Sequence, residues 1–208
     1  EVPVNLAYRG NTLERICNDS RAKTIVVERQ FLDRLEDIAD GLEHLECCVV
    51  YSEDQGESGN LDLPPGLAAR CRVAAYADLI SDNSAPFEPA PAFHDLIGIM
   101  YTSGTTGTSK GVMTTHAHAF CYADGSARRI FEAGPEDVFY TAGLPLFHIA
   151  GKFGIVYGCM IQGATVVLRQ GYRNEYFWPD IAAHGCTIAG LLGAIANFLW
   201  QQPEAPED

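Results

Sequence analysis

The chain has 208 residues, enough for one large domain or two small ones with a sizeable core, and its 47% apolar content is that of a globular protein rather than a disordered one. A net charge of −13 repels polyphosphate backbones, which excludes general nucleic-acid binding. Any anion-binding site must therefore be built locally, against the field of the whole chain.

Taken in chain order, the segment NTLERIC (residues 11–17) predicts a helix start, with Asn11 as cap, Glu14 three residues on, and Leu13, Ile16 and Cys17 facing inward. TIVV (24–27) predicts a strand, and Leu32, Leu35 and Ala39 then fall on one helical face. CCVVY (47–51) predicts a second strand. Two stretches follow that read as exposed connectors: the acidic, Gly/Pro-rich segment 52–66 and the proline-rich segment 81–93. The second divides an early α/β region with acidic loops (1–93) from a later α/β region (94–208).

In the later region, LIGIMY (96–101) is a continuous apolar run, as for a strand covered on both faces. A helix from about Thr115 would place Phe120, Ala123, Ala127 and Ile130 on one face. DVFYTA (137–142) predicts a strand. A helix from about His148 would align Ile149, Phe153, Val156 and Met160, with Gly154 and Gly158 allowing another element to approach closely. ATVVL (164–168) and CTIAG (186–190) predict strands on either side of a helix near residues 176–184. Leu191, Ile195, Phe198 and Leu199 make a last helical face. The rhythm is that of an α/β fold with a largely parallel sheet flanked by helices, and it contains no internal repeat.

Seven cysteines are scattered without a CxxC pair, a pattern of reduced, cytoplasmic thiols rather than of a disulfide framework or a zinc site. The first residues lack the basic start and apolar run of a signal peptide. The apolar stretch 153–168 is too short for a membrane span and is interrupted by Gly154, Gly158 and Gly163, so a buried helix followed by a buried strand is expected. The start at Glu1 and the end in QQPEAPED both read as cut or processed.

The stretch YTSGTTGTSKGV (101–112) carries the chemistry. A flexible linker, an ordinary turn and a nucleotide-phosphate loop compete for it. It follows a buried-strand pattern and is expected to lead into a helix, the position where ligands sit in open α/β sheets. Gly104, Gly107 and Gly111 permit tight turns and let backbone N–H groups converge on one anion. Thr102, Ser103, Thr105, Thr106, Thr108 and Ser109 supply hydroxyls, and Lys110 supplies a mobile positive charge. Together they suit a triphosphate. The spacing is not that of a Walker A loop, because Ser109 stands where the second glycine would be and Gly111 follows the lysine.

This segment resembles the phosphate-binding signature of the adenylate-forming, AMP-binding enzymes, which include acyl-CoA synthetases, luciferases and peptide-synthetase adenylation domains. It departs from the family's pattern at Ser109, where the family has proline; that change frees a backbone N–H and loosens the loop. Asp95, THAHAF after the loop, and PLFHIAGKFG (145–154) are also similar to the family, over roughly residues 95–203, and the C-terminal part looks most like acyl-CoA (fatty-acid–CoA) ligases.

The resemblance implies ATP, Mg²⁺ and coenzyme A as cofactors and a small-molecule carboxylic acid as substrate. It implies phosphate contacts from Thr102, Ser103, Gly104, Thr105, Thr106, Gly107, Thr108 and Lys110, with Lys110 as the catalytic charge and Thr102 as the metal contact. It implies that His148 borders the acyl pocket together with the region around Leu191 to Ile195. A helix-start or core histidine is the alternative for His148, and His116 and His118, two apart, read as structural. The family's adenine-binding segment, ribose-binding aspartate, hinge and lid lysine have no counterpart here. The expectation is therefore a fragment of the N-terminal domain, inactive alone. A homodimer is compatible with the sequence. A non-catalytic binding module and an adenylation domain that loads a carrier protein are the competing functions.

Overall fold

The computed structural model describes residues 1–52, 64–81, 85, 88–102 and 109–203. The chain divides into two compact units. One comprises Val2–Pro91 with Thr102–Gly111, the other Glu1, Ala92–Tyr101 and Val112–Asp208.

The first unit is a parallel sheet in the order β1 (Thr24–Glu28), β2 (Cys47–Tyr51), β3 (Arg72–Ala75). The central strand is the apolar run CCVVY, and its first four residues are buried. Parallel strands covered on both faces need such a run. Helix α1 (Gly10–Asp19) and the short helix α2 (Leu32–Glu36) supply Leu13, Leu32 and Leu35 to a core shared with Cys48, Val50 and Leu67.

Helix α1 begins one residue before the expected cap, and no side chain caps it. The chain enters it through Gly10 at φ +49°, which glycine adopts without strain, so Asn11 lies inside the first turn. Two elements were not foreseen, β3 and the helix α3 (Pro65–Arg70) before it. The connector expected to run to residue 66 ends earlier, because Pro65 opens α3. The Glu36 carboxylate closes that helix end, accepting from the N–H groups of Gly66 (2.8 Å) and Leu67 (2.7 Å).

The second unit contains a parallel sheet in the order β7 (Thr165–Val167), β6 (Val138–Tyr140), β8 (Ile188–Ala189). Helix α6 (Asn174–His184) crosses from β7 to β8, and α7 (Gly193–Trp200) packs Ile195 against Tyr140, Ala142 and Phe177. Among the described residues, β4 (Leu96–Tyr101) pairs only with β5 (Gly111–Thr115). The run LIGIMY is therefore not covered on both faces: Gly98 and Met100 are buried while Leu96 is 50% exposed.

The two central helices bury only part of the faces that a 3.6-residue period projects: Ala123, Ala127 and Phe153 are buried as expected, whereas Phe120, Ile130 and Met160 are exposed. Helix α4 (His116–Gly125) continues as a π-turn over Ser126–Ile130, and the next helix is π-helical over Ala150–Tyr157 before becoming α5 (Gly158–Gln162). A π-turn takes more residues per turn and rotates the face that follows it. On α4 the buried residues are Ala119, Ala123 and Ala127, while Phe120 and Ile130 are exposed. On the later helix Phe153, Ile155 and Cys159 are buried and Met160 is exposed. Gly154 and Gly158 do admit a close neighbour: a Cβ on Gly158 would lie 2.9 Å from the Ala123 carbonyl oxygen, and one on Gly154 would lie 3.1 Å from Tyr122 Cε1.

All seven cysteines are free thiols. Among the described residues no helix is long and apolar enough to cross a membrane.

Candidate functional site

The loop expected to hold phosphate runs from strand to strand, not from strand to helix. It leaves β4 and enters β5, and only then does Thr115 cap α4, its hydroxyl accepting from the His118 N–H at 3.3 Å. A helix N-terminus therefore does not follow the loop directly. Ser103, Gly104, Thr105, Thr106, Gly107 and Thr108 lie outside the described residues.

The base of the loop is described. The Thr102 N–H donates to the Lys110 carbonyl at 3.0 Å, and the Thr102 hydroxyl lies 3.5 Å from the same oxygen. Thr102 and Lys110 are thus brought together, both exposed. Among the described residues the Lys110 ammonium enters no ion pair. A lysine and a hydroxyl residue joined through the main chain at one loop base are groups that suit a polyphosphate, and hydroxyl and phosphate oxygens are the hard donors that Mg²⁺ takes. The neighbouring Ser109 carbonyl accepts from the Arg15 guanidinium of α1 at 2.5 Å, across 94 residues of sequence. Sequence reasoning missed Arg15, because no spacing or motif links it to the loop.

His148 is exposed. Its Nδ1 accepts from the Ala150 N–H at 3.2 Å, so its main-chain neighbour occupies one ring nitrogen and the neutral ring carries its proton on Nε2. The histidine helps to start the π-helical segment and still presents an exposed ring. Of the residues expected to share its pocket, Leu191 and Leu192 are about half exposed, whereas Ile195 is buried in the core beneath α7. Asp95 turns the chain: its carboxylate accepts from the Ala92 N–H at 2.7 Å, and its carbonyl accepts from the His116 N–H at 3.0 Å.

A second polar constellation was not legible in the sequence. Asp180, buried on α6, accepts two bonds from Arg169 (2.7 and 2.5 Å) and one from the Tyr140 hydroxyl (2.9 Å). The Arg169 guanidinium, more than any other neighbour, holds the Asp180 carboxyl below the usual carboxylate range. Burial first, and the bond to Asp180 second, push the Tyr140 phenol up to about 12. Beside this group lies a cavity of 420 Å³ lined by Arg169, Gln170, Gly171, Tyr172, Arg173 and Tyr176. None of the residues expected to bind substrate lines it.

Comparison with known proteins gives the family. The chain is 31% identical to human (Homo sapiens) long-chain fatty acid transport protein 5 over 99% of its own length and 28% of that protein's. It is 27% identical to the crotonobetaine/carnitine–CoA ligase of Salmonella paratyphi A over 100% of its length and 38% of the ligase's. It superposes on the inhibitor-bound N-terminal domain of FACL13 from Mycobacterium tuberculosis with a TM-score of 0.71 at 23% identity, covering 98% of this chain and 47% of that one. The chain thus spans less than half the length of each of these proteins. A family model described as "AMP-binding enzyme" matches residues 1–208, and the chain accordingly belongs to the AMP-binding, adenylate-forming family and corresponds to part of its N-terminal domain.

Proposed function

We infer that this chain is part of an ATP-dependent acyl-CoA ligase, an acid–thiol ligase, and that residues 1–93 and 94–208 are two regions of one incomplete N-terminal domain. The observation that carries the reading is Lys110, an exposed cation with no ion pair among the described residues, at a loop base closed by Thr102 in a chain of this family.

In this reading a carboxylate oxygen of the substrate attacks the α-phosphorus of ATP while the bond to the bridging oxygen breaks and pyrophosphate leaves. The thiol of coenzyme A then attacks the acyl carbon and displaces AMP. The first step needs no general base, since a carboxylic acid with a pKa of about 4 is already ionised at neutral pH. It needs alignment and neutralisation of charge on the departing pyrophosphate. Lys110 supplies the charge, and Thr102, Ser103, Gly104, Thr105, Thr106, Gly107 and Thr108 supply hydroxyl and N–H donors. Thr102 would hold Mg²⁺, which supplies further positive charge at the phosphates. His148 borders the carboxylic acid. The free thiols support a reducing, cytoplasmic setting.

The test is ATP–pyrophosphate exchange by the full-length protein with a panel of acids running from long-chain fatty acids to small charged ones. Carboxylate-dependent exchange is expected, and none from the 208-residue polypeptide alone. Absence of exchange with every acid, or full turnover by the short chain, refutes the reading.

A further inference from the structure

Lys110 is fixed at both of its peptide bonds. On one side its own carbonyl accepts from the Thr102 N–H at 3.0 Å. On the other, the Ser109 carbonyl accepts from the Arg15 guanidinium at 2.5 Å. The Ser109 carbonyl and the Lys110 N–H belong to one planar trans peptide, so holding the oxygen toward α1 directs the N–H the opposite way. The Lys110 main chain is thereby oriented, while among the described residues its side chain enters no ion pair. Arg15 is half-buried on α1, and among the described residues no carboxylate pairs with it. Ser109 also lacks the ring that fixes φ in proline, so the bond from Arg15 restrains a residue whose own backbone is free to turn.

We propose that Arg15 is a positioning residue for Lys110: it holds the Ser109 peptide so that the lysine meets the polyphosphate in one orientation. The proposal rests on the reading of Lys110 as a phosphate contact. The bond is charge-assisted and partly shielded from water, which makes it strong among hydrogen bonds to a carbonyl.

The test is a double-mutant cycle on the full-length protein, read by ATP–pyrophosphate exchange, with thermal melts on every variant. Arg15→Met is expected to raise KM for MgATP about tenfold with little change in Tm, as the loss of one charge-assisted bond allows. Arg15→Lys, which keeps the charge and one donor, is expected to recover part of the loss. In a Lys110→Ala background the same Arg15→Met change is expected to cost less than about twofold, because residues acting through one another are not additive. An equal penalty with and without Lys110, or no effect of Arg15→Met while Lys110→Ala slows exchange, overturns the proposal and leaves the phosphate reading intact. Unchanged exchange in Lys110→Ala instead overturns that reading, and the proposal with it.

Discussion

Replacing Gly143 with alanine tests backbone strain and close packing together at the turn after β6. The Leu144 N–H donates to the Thr141 carbonyl at 3.0 Å across that turn, and Gly143 holds φ at +73°. An alanine Cβ would lie 2.3 Å from both the Gly171 carbonyl carbon and the Tyr172 nitrogen. Both atoms are main chain, so no side-chain rotation relieves the contact. A left-handed φ costs a non-glycine residue about 1–2 kcal/mol. Forcing extra volume against packed backbone costs roughly 1–3 kcal/mol more. The expected loss is about 2–5 kcal/mol, a large share of the roughly 5–15 kcal/mol by which domains are stable. With a urea m-value of about 1–3 kcal/mol per molar, the unfolding midpoint should fall by at least about 0.7 M. Gly171→Ala is the control: its added Cβ meets nothing within 4 Å, so its stability should stay within about 0.5 kcal/mol of the parent's. Equal midpoints for the two variants, with unchanged m, would refute the reasoning.

Two further predictions concern titration. Because Arg169 depresses the folded-state pKa of Asp180, the pair contributes stability that is present above the unfolded carboxyl pKa of about 4 and is lost as pH falls through the lower folded value. Asp180→Asn should therefore be destabilised at pH 7 and lose less additional stability between pH 4 and pH 2 than the parent; parallel pH–stability curves would contradict this. Burial raises the Cys48 thiol to about 12 and the Cys159 thiol to about 11, whereas Cys121 is exposed. At pH 8 a water-soluble thiol reagent should label Cys121 in the native protein while Cys48 and Cys159 react only after denaturation. Mass spectrometry of the labelled peptides decides, and early labelling of Cys48 would count against the fold of the first sheet.

The fold was legible where a single physical demand dominates the sequence. CCVVY reads as a strand because a central parallel strand must be apolar on both faces, and it occupies Cys47–Tyr51 as expected. β3 and β5 were not legible. β3 is four residues long and opens on an exposed arginine, and β5 exposes Val112 and Met113, so neither carries a buried-strand pattern. On α4 and the Ala150–Gln162 helix the expected Ala123, Ala127 and Phe153 are buried, and Gly154 and Gly158 mark the close approach, whereas Ile130 and Met160, within or after π-turns that break the 3.6-residue period, are exposed. At the candidate site, Thr102 and Lys110 were named from a local motif, and their shared hydrogen bond joins them. Arg15 meets Ser109 across 94 residues and Tyr140 meets Asp180 across 40, and Arg169 meets Asp180 across 11 residues that pass from strand to helix, where neither periodicity nor spacing carries a signal.

The account turns on Lys110 meeting the phosphates of ATP. The direct measurement is the rate of carboxylate-dependent ATP–pyrophosphate exchange by the full-length protein carrying Lys110→Ala, beside the parent and at matched Tm. A charge-assisted contact of about 1.5–3 kcal/mol predicts a loss of about tenfold to a hundredfold. An unaltered rate from a folded variant would contradict the account.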